Sequence, residues 1–311
     1  VVDFLNPRAK DSSGYLECPL AHDLRQALYW RFHARSNHHS SGAVKDPTPA
    51  GADGNNHLEA LRTANATADS WDQGWKILTV NPSGTITAAK AAKVAQFGAG
   101  RYVHRHRSAG GNPGDLVDVR IHRDSTSLQP GFYFAFSETP PTQTGSGPTV
   151  RFYWNASPAA AISLIEQIST RLNRYAIPYE MKCPPRTEHY GRVDSLVLYL
   201  RPQYVRSAFP RLAEIHRTFE SGLRDEVPLF TRRLGTGLAL AESPNGKLSF
   251  GQHRCGLIAT GLVAAYRRQS PDTMARLTGV TEQFRQADIS LERPWLTDGS
   301  ADPFGLATLK L

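Results

Sequence analysis

Lys182 stands in a short apolar run, Tyr179-Glu180-Met181-Lys182-Cys183, beside a pair of prolines. A lysine drawn out of water on such a strand can have a lowered pKa and act as a general base. Arg192 follows ten residues on, just before Ser195 to Arg201, a run apolar enough for a buried strand. Arg151 opens another strand-like run. Arg232 and Arg233 follow Pro228-Leu229-Phe230-Thr231, and His253 and Arg254 precede an apolar helical stretch. If these strand ends converge, one lysine and several arginines make a pocket for a dianionic phosphate, held by bidentate, charge-assisted hydrogen bonds. The plainer alternative is that Lys182 snorkels to the surface and the arginines form a solvated face. From composition and spacing alone that alternative is preferred.

Other chemistry is weakly signalled. Tyr102-Val103-His104-Arg105-His106-Arg107 could offer two imidazoles to a metal from one strand face. His122 is the only further candidate ligand, so an exposed basic strand is the favoured reading and no metal is expected. There is no GxGxxG after a strand, no Walker lysine loop, no HExxH and no GxSxG elbow. Gly235-Thr236-Gly237 lacks the rest of a dinucleotide fingerprint. No cofactor is expected.

Several elements must position these residues. His22 to Phe32 has helical spacing, Ser36 to Asn56 reads as loop, and His57 to Ala66 as a second short helix. Asn81-Pro82-Ser83-Gly84 joins two strand-like runs into a hairpin. Gly131 to Ser137 and Val150 to Asn155 are strand-like. Ser157-Pro158 opens a helix with a serine cap and an early proline. Arg211 to Leu223, Cys255 to Arg268 and Thr273 to Ala287 read as further helices. Strands and helices in this mixture predict an α+β architecture, with a mixed front module over residues 1–125 and a core over residues 126–311.

Composition narrows the partners. The 311 residues carry a net charge of +8, which favours phosphate groups, nucleic acid, anionic lipid or an acidic protein. Only eight of the 36 basic residues are lysines. Arginine suits phosphate well, although a GC-rich coding bias would explain much of the excess. Three distant cysteines (Cys18, Cys183 and Cys255) exclude a disulfide scaffold. No apolar run approaches the roughly 20 residues of a membrane span. Val1-Val2-Asp3 reads as no basic and apolar leader; with this cysteine usage a reducing cytoplasm is the expected location. Nucleic-acid binding would call for a basic stripe with exposed aromatics. The aromatics here fall in strand patterns that look buried, so neither nucleic acid nor membrane is expected as a partner.

Five stretches carry a resemblance: Asn65 with Trp71-Asp72-Gln73-Gly74-Trp75, Leu128 to Phe136, Val150 to Pro158, Glu226 to Thr231, and Ser249-Phe250-Gly251-Gln252-His253-Arg254-Cys255. Through them the chain resembles the HopA-type effector family. Relatives of that family occur as lyase components in ribosomal peptide pathways, among them class V lanthipeptides and thioamitides. A weaker resemblance, through Lys182, Arg192 and Leu196 to Leu200, is to the phosphothreonine lyases of type III effectors. Where those lyases place a histidine acid, two positions after a basic strand residue, this chain has Arg151 and then Tyr153.

The resemblance implies a lyase-like core of antiparallel strands flanked by helices. It implies a phosphothreonine or phosphoserine lyase acting on a precursor peptide phosphorylated by a partner Ser/Thr kinase. Lys182 would be the base, with Tyr153, Tyr190, His189 or His253 as acid. Arg151, Arg192, Arg232 and Arg254 would hold phosphate and developing negative charge. Residues 1–125 would meet the leader peptide or the kinase. The rival reading is a non-catalytic HopA-like effector or peptide-binding protein. Geometry separates the two: Lys182, Arg192 and Arg254 within one pocket would favour the lyase, and three separate faces would favour binding.

Overall fold

A computed structural model describes residues 18–34, 52–91, 93–105, 111–139, 149–243, 248–269 and 272–297. Its architecture is α+β, with two antiparallel sheets and flanking helices. The first helix, α1 (Pro19–Leu28), runs into a π-helical turn over Tyr29–His33, and α2 spans Ala52–Ala64. Five strands then form a small sheet: β1 (Ser70–Val80), β2 (Ile86–Lys90), β3 (Lys93–Phe97), β4 (Tyr102–His104) and β5 (Leu116–Ile121). Their spatial order is β3-β2-β1-β5-β4. Trp75, Ile77, Ile86, Val117 and Val119 are buried on its inner face.

The second sheet is built from β6 (Asp124–Ser125), β7 (Tyr133–Phe136), β8 (Val150–Trp154), β9 (Tyr179–Cys183), β10 (Leu196–Leu200), β11 (Arg232–Gly235) and β12 (Leu238–Glu242). The order is β11-β12-β8-β10-β9-β7-β6, and its recorded pairings are antiparallel. The remaining helices are α3 (Pro158–Arg174), α4 (Pro202–Phe219), α5 (Phe250–Arg267) and α6 (Thr273–Gln286).

Successive residues of a strand face opposite sides of its sheet, and the two sides of this one differ in chemistry. Phe152, Trp154, Met181, Leu198 and Leu240 point into the main core, against Leu61 of α2, Leu164 and Ile168 of α3, and Leu212 and Ile215 of α4. The residues between them point the other way. Tyr153, Val197 and Ala241 pack there against Phe250 of α5. Helix α5 in turn carries α1, the π-helical turn and α6. The large sheet therefore lies between two helical layers, and helices from the front of the chain pack into both: α2 on α3 and α1 on α5.

Local signals explain most boundaries. Ser157 caps α3 by accepting the Ala160 N–H, with Pro158 in the first turn. Ser249 and Gln252 form a capping box at the start of α5. Four expectations need correction. Helix α4 begins at Pro202, nine residues before the expected start, because Pro202 rather than Pro210 marks its N-terminus. Pro210 sits within the helix, exposed. The expected loop over Ser36 to Asn56 ends early, since α2 starts at Ala52. Helix α5 begins at Phe250, five residues before the expected Cys255 and with His253 and Arg254 inside it, because the Ser249 and Gln252 capping box sets its start. In the His/Arg tract, β4 covers Tyr102–His104, while His106 and Arg107 lie outside the described residues.

One arginine ties the loop before β10 to its surroundings. Arg224 Nε donates to Asn155 Oδ1 at 2.8 Å, and its Nη2 reaches the carbonyls of Ala156, Tyr190 and Arg192. Replacing it removes donors from three backbone acceptors at once. We expect Arg224→Ala to lower stability by about 1–3 kcal/mol, seen as a lower midpoint in urea unfolding with an unchanged slope.

Candidate functional site

The side of the large sheet away from the main core carries two adjacent cross-strand rows. Strand register aligns Ala239, Tyr153, Val197, Lys182 and Phe134 in one row. It aligns Ala241, Arg151, Tyr199, Glu180 and Phe136 in the next. Lys182 and Arg151 share this face because each sits at an alternate position between core residues, Met181 and Cys183 around one, Val150 and Phe152 around the other.

Lys182 is enclosed by aromatic rings. Its Nζ lies 4.5 Å from the centre of Phe132, 5.7 Å from Phe134 and 5.9 Å from Tyr199, and it donates to Gln129 Oε1 at 3.0 Å. Burial, reinforced by the positive charges of Arg151 and Arg192, pulls its pKa from 10.5 down to about 8, against the opposing pull of Asp194 and Glu180. A substantial fraction of Lys182 is therefore a neutral amine at mildly alkaline pH. Glu180 in the neighbouring row is pushed up by burial, although Lys182 and Arg151 act the other way.

Two arginines flank this amine. Arg151 lies 5.2 Å from the Tyr199 ring centre and donates from Nε to Ser243 Oγ at 2.6 Å. Arg192 donates from Nη2 to Asp194 Oδ2 at 2.8 Å and to the Tyr29 hydroxyl at 3.0 Å, and its Nε pairs with Asp194 Oδ1. Its guanidinium also lies 5.5 Å from both Trp30 and Phe132. Burial would raise the Asp194 carboxyl, but Arg192 overrides it and holds the group ionised. With Asp194 paired to Arg192, the charges of Arg151 and of protonated Lys182 outnumber the one remaining acid of this face, Glu180, and that balance favours an anion.

Tyr153 completes the row. Its hydroxyl is buried without a well-aligned hydrogen bond, close to the Arg151 guanidinium. Burial raises its pKa while Arg151 acts to lower it, so the phenol keeps its proton at neutral pH. Tyr153 is two strands from Lys182, about 10 Å across the sheet, with Val197 between them.

The structure brings Lys182, Arg151, Arg192 and Tyr153 together. Arg254 lies behind them, 4.9 Å from the Phe250 ring centre and within electrostatic reach of Tyr153. Its guanidinium donates to the carbonyls of Pro294 and Leu296 and contacts His253 Nδ1 at 2.8 Å. Arg254 thus anchors the segment after α6, and His253 sits with it; of the expected trio, Lys182 and Arg192 converge, while Arg254 is spent on backbone carbonyls. Tyr190 is on the core side, 3.1 Å from His57 Nε2. His189 is exposed on a 3-10 turn. Arg232 is in register with Leu240, whose row is the core row of Phe152 and Leu198, four strands from Lys182.

Sequence reasoning did not find Tyr29, His33 or Asp194. His33 is buried and T-stacked 6.0 Å from Tyr153, and its Nδ1 donates to the Leu229 carbonyl at 3.1 Å. Burial lowers its pKa to about 4, so it is neutral at pH 7. Gly251 gives it room: a Cβ there would lie 2.2 Å from His33 Cδ2. Tyr29-Trp30-Arg31-Phe32-His33 was visible as an aromatic cluster ending a helix, but its partners are more than 150 residues away in sequence.

The remaining histidines show little metal chemistry. His104 Nδ1 is buried without a partner, and His122 lies 3.8 Å from Asp69. Among the described residues, no three His, Cys, Asp or Glu side chains gather as a metal site, and no helix is long and apolar enough to cross a membrane.

Two outcomes follow. Gly251→Ala should cost roughly 1–3 kcal/mol through overpacking, and should cost markedly less in a His33→Ala background. Thermal or urea unfolding of all four forms measures that coupling. Between pH 8 and 10.5 the unfolded chain binds the Lys182 proton more tightly than the folded chain, so stability from this group rises as pH climbs through that window. Unfolding midpoints taken across it should show that Lys182→Met removes this part of the rise.

Comparisons with known proteins bear on this arrangement. A search of curated proteins found no match. The structure of the effector protein from Pseudomonas syringae pv. syringae strain 61 is similar to the chain, with a TM-score of 0.51 at 17% identity over 90% of this chain and 92% of that one. The structure of the effector protein from Pseudomonas syringae pv. tomato strain DC3000 aligns with a TM-score of 0.49 at 14% identity, covering 90% and 95%. The HopA1 effector protein family matches residues 123–296, more than half of the 311 residues. The chain therefore belongs to the HopA1 effector protein family.

Proposed function

We propose that this protein is a phosphothreonine or phosphoserine lyase acting on a phosphorylated precursor peptide, as in class V lanthipeptide or thioamitide biosynthesis. The observation that carries the reading is Lys182: a partly buried amine with its pKa drawn to about 8, beside Arg151 and Arg192. A base poised near the working pH is what abstraction of a weakly acidic proton requires.

The reaction is an elimination. Neutral Lys182 Nζ takes the proton from Cα of the phosphorylated residue. The electron pair of that C–H bond forms the Cα–Cβ double bond as the Cβ–O bond breaks. The bonding pair of Cβ–O leaves with the phosphate, giving dehydrobutyrine from threonine or dehydroalanine from serine. Arg151 supplies the positive charge that offsets the phosphate, and Arg192, its charge balanced by Asp194, adds hydrogen-bond donors towards the charge developing at the peptide carbonyl. Tyr153, protonated and poorly hydrogen-bonded, is the proton donor we assign to the departing phosphate. Asp194 and Tyr29 hold Arg192 in place. No water is consumed, which separates this reaction from phosphate hydrolysis.

A partner Ser/Thr kinase would supply the phosphorylated residue, and residues 1–125 are the part we assign to contact with the leader peptide or that kinase. Incubation with a phosphothreonine precursor peptide, with the cognate kinase also present in a parallel reaction, should remove the elements of phosphoric acid by mass. Lys182→Ala should slow this by about 10²–10⁴-fold. The rate should rise with pH through about 8 as Lys182 loses its proton. Simple dephosphorylation would mean a different reaction class, and an untouched peptide in both reactions would favour a binding protein.

A further inference from the structure

A cavity of about 470 Å³ opens beside the candidate site, between the large sheet and the five-stranded sheet. Glu180, Tyr199 and Phe136 line it from the large sheet, all from the row next to that of Lys182. Trp75, Phe97 and Ile121 line it from the small sheet. The cavity adjoins the site across one residue: the Tyr199 ring faces Arg151 at 5.2 Å and Lys182 at 5.9 Å, and also forms part of the cavity wall.

Its lining is chiefly hydrocarbon. Trp75 and Phe97 meet edge to face at 5.0 Å, and the polar atom of Trp75 is already used, since Nε1 donates to Asp72 Oδ2 at 2.9 Å. Asp72 also pairs with Lys90. Glu138 accepts the Ala68 N–H at 3.1 Å. The acidic residues of the wall are Asp72, Glu138 and Glu180, against the basic Lys93 and Arg201, so acids outnumber bases and an incoming carboxylate is disfavoured beside the rings. The volume lies within the range of sites that hold small apolar ligands.

Spacing fixes which part of a peptide reaches the cavity. Neighbouring rows on one sheet face are two residues apart along a strand, about 6.6–6.8 Å, the same distance that two residues of an extended peptide cover. We propose that this cleft receives an apolar side chain of the substrate peptide, two residues from the phosphorylated one. The cleft would set which phosphorylated residues are processed. This inference rests on the lyase reading for the identity of its ligand.

The test uses labelled phosphothreonine peptides that differ only two positions before or after the phosphorylated residue, with Leu, Phe, Gly or Asp there. Binding is read by fluorescence anisotropy on full-length Lys182→Ala protein, and elimination by mass spectrometry on the unsubstituted protein. We expect Leu or Phe on one side to bind roughly tenfold or more tightly than Gly, the worth of burying one such side chain, with Asp weakest. Ala95→Trp, which fills the cavity from β3, should abolish that preference. The peptide series on the unsubstituted protein decides the matter if that variant does not fold. Elimination with equal efficiency across the series would overturn the cleft while leaving the lyase intact. A clear binding preference without elimination would support the cleft and overturn the lyase. Failure of every peptide to bind would overturn both.

Discussion

The pleat of the central strands β8, β10 and β9 is the constraint on which the rest depends. A strand has a side-chain period of two, so a slip of one residue would exchange its faces. Here such a slip would drive Arg151 and Lys182 into the main core and put Phe152 and Met181 on the other side. The core therefore fixes the register, and the register fixes the site. Trp154, Phe152 and Leu198 are fully buried, so the penalty for slipping is large. The charged row is placed by apolar residues that never touch it.

Holding charge on a partly buried face requires compensation. Asp194 offsets Arg192, with the Tyr29 hydroxyl as an additional acceptor for that guanidinium. Phe132, Phe134 and Tyr199 offer ring faces to Lys182 in place of water. Cation–π contacts favour the charged amine while burial and the arginines favour the neutral one, and the second group prevails. The same enclosure that tunes the amine also shapes the cavity next to it, because Tyr199 belongs to both.

Much of this was legible in the sequence where the physics is local. The strands over Val150–Trp154, Tyr179–Cys183 and Leu196–Leu200 announced themselves by apolar density, and the α3 boundary by Ser157-Pro158. Period two would have placed Lys182 opposite Met181 without a structure. What stayed hidden depends on distant pairing. Tyr190 reads as a site neighbour because it lies eight residues from Lys182, yet it turns to His57 on the core side. Arg254 reads as a free cation, yet backbone carbonyls at 294 and 296 hold it. The familial stretches now have physical causes: Gln129 and Phe132 contact Lys182, the Leu229 carbonyl accepts the hydrogen bond of His33, and Gly251 leaves room for the ring.

The contact between Tyr29 and Arg192 spans 163 residues of chain. Closing so long a loop carries an entropic cost that only a largely formed structure repays. Synthesis delivers the π-helical turn early and its partners late, so the aromatic wall waits for β10 and α5 before it has anything to enclose. The segment matched by the family, residues 123–296, contains Lys182, Arg151 and Tyr153 but neither Tyr29 nor His33. The candidate site is closed by a piece of the chain that lies outside the matched segment, so the enclosure of Lys182 and Arg192 is a property of the whole fold and not of that segment alone.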